Sequence, residues 1–176
     1  SLSARLPDTP GGESLPSFNN LTFYQELCET LENLHQSMTD SLQRHRYKEA
    51  LRTAMTAAQH GNQLLQSSMP WKHLKSNVDA DGRVEALSSL AMGWRICRYL
   101  AIVTQPFLPF SARKLWDMLG IENALEEMHW NDAIDWSVAI QSPSQEYEPL
   151  FKRLDLEEIV SEEQSLIEED LSLIHI

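Results

Sequence analysis

Apolar residues recur every three or four positions in the first patterned stretch of the chain, which follows a Pro- and Gly-rich start over residues 1–20. This spacing places them on one face of an amphipathic helix. The pattern predicts a loop or linker over residues 1–20, followed by a helix of about five to six turns from Thr22 to residues 43–46. The apolar positions of this helix are Leu27, Leu31, Leu34, Met38 and Leu42.

A second amphipathic helix is predicted from Tyr47 and ends before Pro70. Pro70 lacks an amide donor and biases Met69 away from helical geometry, so a short turn is expected over residues 71–75. We interpret Gly61, inside this helix, as a packing contact. The predicted apolar stripe is Tyr47, Leu51, Met55, Ala58 and Leu65, and three alanines permit a neighbour to approach closely: Ala50, Ala54 and Ala57.

The segment DADG, residues 79–82, is predicted to interrupt the chain again. A long, largely buried helix is expected from Val84 to Thr104, because apolar residues lie on most of its faces. Pro106 stops this helix. Pro109 suits the first turn of a further helix, which ends at Gly120.

The remainder of the chain is less regular. Residues 121–155 carry scattered tryptophans and prolines, and we expect a loop that wraps the helices with its aromatic side chains. Residues 156–171 predict an acidic helix. Strand-like alternation is nearly absent, so the fold class is predicted as all-α, an antiparallel helix bundle. The bundle is expected over residues 21–155, with an acidic C-terminal helix and tail over residues 156–176.

The net charge of −12 is divided unevenly along the chain. Residues 44–114 hold eleven Lys/Arg against four Asp/Glu, a surplus of seven positive charges, whereas residues 120–176 hold two against fifteen. Local positive surface attracts a phosphate backbone even when the whole protein is acidic. Taken alone, a surplus of this size is more typical of an ordinary solvated surface.

Catalytic and metal-binding motifs are scarce. The sequence has no phosphate-binding glycine loop, no HExxH and no GxSxG, and its six histidines form no local ligand spacing. Cys28 and Cys97 stand far apart, which argues against a disulfide framework or a zinc site. No signal peptide or membrane-spanning run is visible. We therefore expect a cytoplasmic domain with no catalysis, metal or cofactor of its own, and no membrane or DNA partner.

Trp71 stands out as a candidate binding residue. It follows Pro70 and is flanked by cationic side chains, and an aromatic ring held at a stiff X-Pro turn beside cations suits an unpaired nucleic-acid base. The ring would stack on the base while the cations meet phosphates. From the residues alone, a core position is the more common outcome for a tryptophan near a helix end.

A family resemblance changes this balance. The run YKEALRTAMTAAQHGNQLLQSSMPWKHLK, residues 47–75, resembles the anticodon-binding domain of methionyl-tRNA synthetases, in which a GN pair precedes a PW pair. The run WRICRYLAIVTQPFLPFSARKLWDMLGI, residues 94–121, is similar to the following helices, a pattern shared by several class I synthetases. YEPLFKRLDLEE, residues 147–158, resembles the end of the domain in archaeal and eukaryotic-type members.

The resemblance implies a role in reading the CAU anticodon of methionine tRNA. Trp71 would stack on the first anticodon base and help to select cytosine, while Asn62 and Pro70 match positions that shape the pocket. Asn62 has an alternative role, tying the helix end to the following loop. By charge and position, three residues are candidate phosphate contacts: Lys72, His73 and Lys75.

The resemblance also assigns packing residues. Four aromatic residues match core positions of the family, namely Trp94, Phe107, Phe110 and Trp116. We interpret four cations on the later helices as surface charges, namely Arg95, Arg98, Arg113 and Lys114.

The same resemblance implies that the chemistry lies elsewhere in a longer protein. A catalytic domain would ligate methionine to tRNA with ATP, would carry zinc, and would be a partner of this domain. A preceding helix would supply further anticodon contacts, and residues 1–20 could include its remnant. Two alternatives stay open: the matching domain of another class I synthetase, and a helical protein-interaction module that uses its acidic tail.

Overall fold

Five helices and two 3-10 turns form the part of the chain that the computed structural model describes, residues 22–73, 80–140 and 149–151. No strand occurs in these residues, so the predicted all-α bundle is confirmed. The predicted linker at residues 1–20 and the acidic helix at residues 156–171 lie outside the described residues. The helices are α1 (Thr22–Gln43), α2 (Tyr47–Ser68), α3 (Pro70–His73), α4 (Ala80–Thr104) and α5 (Pro109–Met118).

Helix α4 is the centre of the bundle. It contacts α2, α3, α5 and the 3-10 turn Trp130–Ile134, while α1 packs against α2 and the same turn. Its apolar residues lie on several faces, as expected for a helix surrounded by neighbours. The prediction that this helix is largely buried is confirmed by its core residues Met92, Ile96, Tyr99, Ile102 and Val103. No helix in the described ranges is long and apolar enough to cross a membrane.

The face that α2 buries differs from the predicted one. Tyr47 and Met55 of the predicted stripe are each 56% exposed. Small side chains are buried instead because they let α2 approach its neighbours closely: a Cβ built on Gly61 would lie 3.0 Å from Cγ2 of Ile96 in α4. The stripe prediction was therefore wrong, whereas the predicted close approach at the three alanines and the packing role of Gly61 are confirmed. The buried residues of α2 are Ala50, Ala54, Ala57, Gly61 and Leu64.

Two further predictions need correction at the ends of helices. Helix α4 begins at Ala80 rather than Val84, so residues 80–82 of the predicted break lie in the first turn of the helix. Acidic residues in a first helical turn are stabilised by the helix dipole, which favours this outcome. Phe110, predicted as core, is 88% exposed because Ala112 and Trp116 form the buried face of α5.

The other aromatic predictions fit the structure. Trp116 is buried, and Phe107 packs partly buried against the core. Trp94 is half-buried, and its indole N–H donates to the carbonyl oxygen of Leu119 at 3.3 Å. Gly120 has a φ of 69°, a left-handed value that ends the α5 region as its position predicted.

Residues 130–136, hereafter the strap, cross over α1 and α4. The indole N–H of Trp130 donates to Oγ1 of Thr39 at 2.8 Å, and that of Trp136 donates to Oε1 of Glu32 at 2.9 Å. The predicted wrapping loop is thus confirmed for the described part of residues 121–155.

Two arginines of α4 hold the strap in place through hydrogen bonds to its backbone. Arg98 donates to the carbonyl oxygens of Asp132 at 2.8 Å and Asp135 at 3.4 Å, and Arg95 donates to that of Trp136 at 2.8 Å. Arg98 is buried and Arg95 is half-buried, so their interpretation as surface charges was wrong. Buried guanidinium groups that satisfy carbonyl oxygens serve packing rather than solvent contact.

Candidate nucleic-acid interface

The candidate interface begins where α2 ends. Pro70 prevents α2 from continuing, and Met69 adopts a left-handed backbone with φ 40° and ψ 52°. The amide of Met69 still donates to the carbonyl oxygen of Leu65 at 3.0 Å. The hydroxyls of Ser67 and Ser68 both donate to the carbonyl oxygen of Leu64, at 3.0 and 2.8 Å. The end of α2 is therefore a closed, hydrogen-bonded turn.

Trp71 projects from this turn. Pro70 is fully buried, whereas the following Trp71 is 49% exposed. The amide of Lys72 donates to the carbonyl oxygen of Met69 at 2.9 Å, which begins the single turn of α3. Helix α3 packs against α4. One part of the indole thus contacts protein, and the other part is open to a ligand.

Asn62 lies on the exposed surface of α2. It precedes Ser68 by six residues, which corresponds to roughly 9 Å along the helix axis. Its side chain makes no hydrogen bond to any of the described residues, and residues 74–79 of the following loop lie outside them. An exposed amide offers one acceptor and two donors to a ligand.

Basic side chains follow Trp71 in the sequence. Lys72 and His73 are exposed next to it, and Lys75 lies outside the described residues. Arg83 and Val84 are exposed near the start of α4, the helix that α3 contacts. Sequence reasoning missed Arg83 because residues 79–82 were predicted to interrupt the chain, whereas Val84 was predicted as the first residue of a largely buried helix and is 45% exposed. The Asp residue in the first turn was the signal that could have placed Arg83 on the helix.

The positive charge of residues 44–114 does not form one surface. Arg98 is buried beneath the strap, as described above. Arg44, Arg46, Lys48 and Arg52 are exposed near the α1–α2 connection, at the opposite end of α2 from Trp71. Arg46 also pairs with Glu49 at 3.3 Å. The charge beside Trp71 is therefore smaller than the sequence total indicates.

Nucleophilic and metal-binding groups are not gathered around Trp71. Among the described residues, no group of three or more His, Cys, Asp or Glu side chains could hold a metal ion. Burial raises the pKa of the Cys28 thiol to about 12, with a smaller contribution from Glu32, and burial also raises the pKa of Cys97. Both thiols are thus protonated near neutral pH and are weak nucleophiles. The arrangement can bind a ligand by stacking and charge.

Comparison with known proteins identifies relatives over most of the chain. The chain is 33% identical to the methionine–tRNA ligase of Methanopyrus kandleri over 145 residues, which cover 82% of this chain and 21% of that protein. It is 28% identical to the enzyme of the same name from Korarchaeum cryptofilum, over 74% of this chain and 22% of that protein. A bacterial methionine–tRNA ligase from Cytophaga hutchinsonii is 39% identical over 53% of this chain and 12% of that protein.

The chain spans about a fifth of the length of the two archaeal relatives. The family described as the anticodon binding domain of methionyl tRNA ligase matches residues 10–163, which include every helix described above. The chain therefore belongs to the family of methionyl-tRNA ligase anticodon-binding domains.

Proposed function

We propose that this domain recognises the CAU anticodon of methionine tRNA by stacking Trp71 on the first anticodon base. The observation that carries the proposal is the half-exposed indole at a proline corner, beside exposed cations. Stacking of a base on an aromatic side chain contributes about 1–3 kcal/mol, and it needs an accessible ring face. A tryptophan sealed in the core could not take this role.

Stacking alone does not select cytosine, because every base has a π face. Selection requires hydrogen bonds to the base edge, and an exposed amide can supply them. In this proposal Asn62 and Pro70 shape the pocket around the base that Trp71 stacks on. Lys72, His73 and Lys75 contact the phosphates, which fixes the position of the loop without reading its sequence.

Replacing the indole tests the proposal directly. We expect Trp71→Ala to weaken binding of a CAU anticodon stem-loop about 5- to 150-fold, which is the stacking energy converted to an affinity ratio. The preference for CAU over a UAU stem-loop should shrink as well. Fluorescence anisotropy with labelled stem-loops measures both quantities.

Phe110→Ala is the matched control for this experiment. Phe110 is also an exposed aromatic residue, but it lies beyond the C-terminal end of α4, whereas Trp71 lies at the N-terminal end. We expect this variant to bind like the wild type. Unchanged affinity and base preference in Trp71→Ala, or an equal loss in Phe110→Ala, would contradict the proposal.

We further propose that the longer polypeptide containing this domain is a methionine–tRNA ligase of the cytoplasm. The names of the relatives and the fifth of their length that the chain spans support this view. In that protein ATP, and zinc, belong to a catalytic domain that is a partner of the present one. The anticodon domain contributes binding energy and selectivity for the tRNA.

A further inference from the structure

Met69 is the residue that turns the chain between α2 and the exposed indole. We propose that Met69 is a positioning residue: its left-handed backbone holds Trp71 in the orientation that binds RNA. The proposal rests on the proposed function of Trp71. It assigns no ligand contact to the Met69 side chain.

Pro70 limits the conformation of Met69. Its ring disfavours a right-handed helical conformation at the preceding residue and favours an extended one. Met69 is instead left-handed, and its amide donates to the Leu65 carbonyl oxygen at 3.0 Å as the last hydrogen bond of α2. This hydrogen bond does not depend on the φ and ψ of Met69, because those angles rotate only the chain that follows its N–H; they set the direction in which the chain leaves α2.

The direction of this exit decides which of the next two side chains is buried. With Met69 left-handed, Pro70 enters the core and Lys72 bonds back to the Met69 carbonyl oxygen at 2.9 Å. The resulting turn, α3, lies against α4 and leaves Trp71 half-exposed. An extended Met69 would direct Pro70 away from this position and would move the indole with it.

The backbone conformation at position 69 is one that methionine rarely adopts. Glycine and asparagine adopt left-handed conformations readily, whereas other residues rarely do and β-branched residues are the most strongly excluded. Within the described ranges, Met69 shares a positive φ with only one other non-glycine residue, His45, at the opposite end of α2. The conformation at Met69 is thus held by the surrounding contacts rather than by residue type.

The proposal predicts opposite results for two substitutions. Met69→Val disfavours the left-handed state, so a smaller fraction of molecules presents Trp71 correctly and the apparent affinity falls by that fraction. We expect CAU stem-loop binding to weaken by more than about threefold, because a β-branched residue is excluded from left-handed conformations more strongly than methionine is. Met69→Asn tolerates the conformation and should bind within about threefold of the wild type.

Two controls distinguish a misplaced Trp71 from a general loss of the fold. Met55→Val makes the same chemical change at an exposed site in the middle of α2 and should leave binding unchanged. A fluorine label on the tryptophans reports the fold without RNA: in Met69→Val the Trp71 resonance should shift or broaden, while that of buried Trp116 stays at its wild-type position. This second measurement also identifies a variant that fails to fold.

A double-mutant cycle tests whether Met69 acts through Trp71. At low salt, where the residual binding of Trp71→Ala stays measurable, adding Met69→Val to that variant should cause no further loss. Wild-type affinity in Met69→Val, a wild-type Trp71 resonance in it, or a full additional loss in the double variant would overturn the proposal. A failure of the proposed function is distinguishable from these outcomes, because it appears as unchanged binding in the single variant Trp71→Ala.

Discussion

His35 is a buried polar residue at the contact between α1 and the strap. Its ring stacks on Trp130 with centroids 5.0 Å apart and meets the edge of Tyr99 at 6.0 Å. Neither imidazole nitrogen has a hydrogen-bond partner among the described residues, nor has the Tyr99 hydroxyl. Burial lowers the pKa of His35, and the side chain of Asn131 opposes this shift without reaching hydrogen-bond geometry. Charging this ring in the folded state is therefore unfavourable.

The lowered pKa predicts a loss of stability on mild acidification. His35 has a pKa below 6.5 when folded and near 6.5 when unfolded, so between these two values the unfolded state binds more protons. The contribution is complete above pH 6.5 and is lost as the pH falls, with a slope of at most about 1.4 kcal/mol per pH unit. Denaturant unfolding followed by circular dichroism from pH 5 to 8 measures this slope.

His35→Phe removes the titrating group and retains an aromatic ring against Trp130. The part of the slope that is due to His35 should disappear, and the variant should match or exceed the wild type in stability at pH 5 because two unsatisfied nitrogens are gone. Ser37→Ala, an exposed change on the same helix that removes no titrating group, is the control and should keep the wild-type slope. An unchanged slope in His35→Phe would refute the assignment.

At the scale of elements, two glycines lie at the contact between α2 and α4. They differ in the space that is available for an added Cβ. A Cβ at Gly61 would lie 3.0 Å from Cγ2 of Ile96, a contact tighter than side chains normally make. A Cβ at Gly93 would lie 3.5 Å from Cδ2 of Leu65, an ordinary van der Waals distance. Both residues occupy helix interiors, where alanine is favoured over glycine by about 1 kcal/mol.

This difference predicts effects of opposite sign for the same substitution. Gly61→Ala should lower the free energy of unfolding by up to about 2 kcal/mol, because overpacking costs about 1–3 kcal/mol and exceeds the gain in helix propensity. Gly93→Ala should raise it by up to about 1 kcal/mol. Chemical denaturation of both variants gives the two values. A stabilised Gly61→Ala would show that Ile96 can move aside.

The boundaries of the elements were largely predictable, since local residues determine them. Pro70 marks the end of α2, Pro109 the start of α5, and Gly120 the end of that region. The buried face of α2 was predictable only in part. The sequence indicated Gly61 and the alanines as points of close approach, but the apolar stripe indicated other residues, because close approach does not depend on apolar area. The role of Arg98 depends on carbonyl groups more than thirty residues away, which no local pattern indicates.

The candidate site was predictable only in part. Proline, tryptophan and cations in succession indicated a possible stacking residue, but residue type could not decide between core and surface for Trp71. The exposure of Trp71 is set by the turn at Met69 and by the packing of α3 on α4, which are tertiary features. Likewise, the exposed position of Phe110 depends on which face α5 turns toward α4.

At the scale of the whole molecule, an RNA must bind to a protein whose net negative charge repels the phosphates. The net charge is −12, and among the described residues exposed cations occur beside Trp71, near the α1–α2 connection and, at Arg113, on α5, where Glu126 pairs with it. Because screening weakens interactions beyond roughly 8–10 Å at physiological salt, each group acts locally. The group that contacts phosphates should therefore be identifiable from the salt dependence of binding.

We expect the affinity for a CAU stem-loop to fall with added salt, and Lys72→Ala to reduce this dependence. Each phosphate contact with a single strand contributes about −0.7 to the slope of log affinity against log salt, so losing Lys72 should flatten the slope by about that amount. CAU and UAU stem-loops should weaken alike, since a phosphate contact reads no base. Arg44→Ala, at the far end of α2, should leave the slope unchanged. If Arg44→Ala flattens the slope while Lys72→Ala does not, the RNA lies along the α1–α2 connection and Trp71 is not its contact.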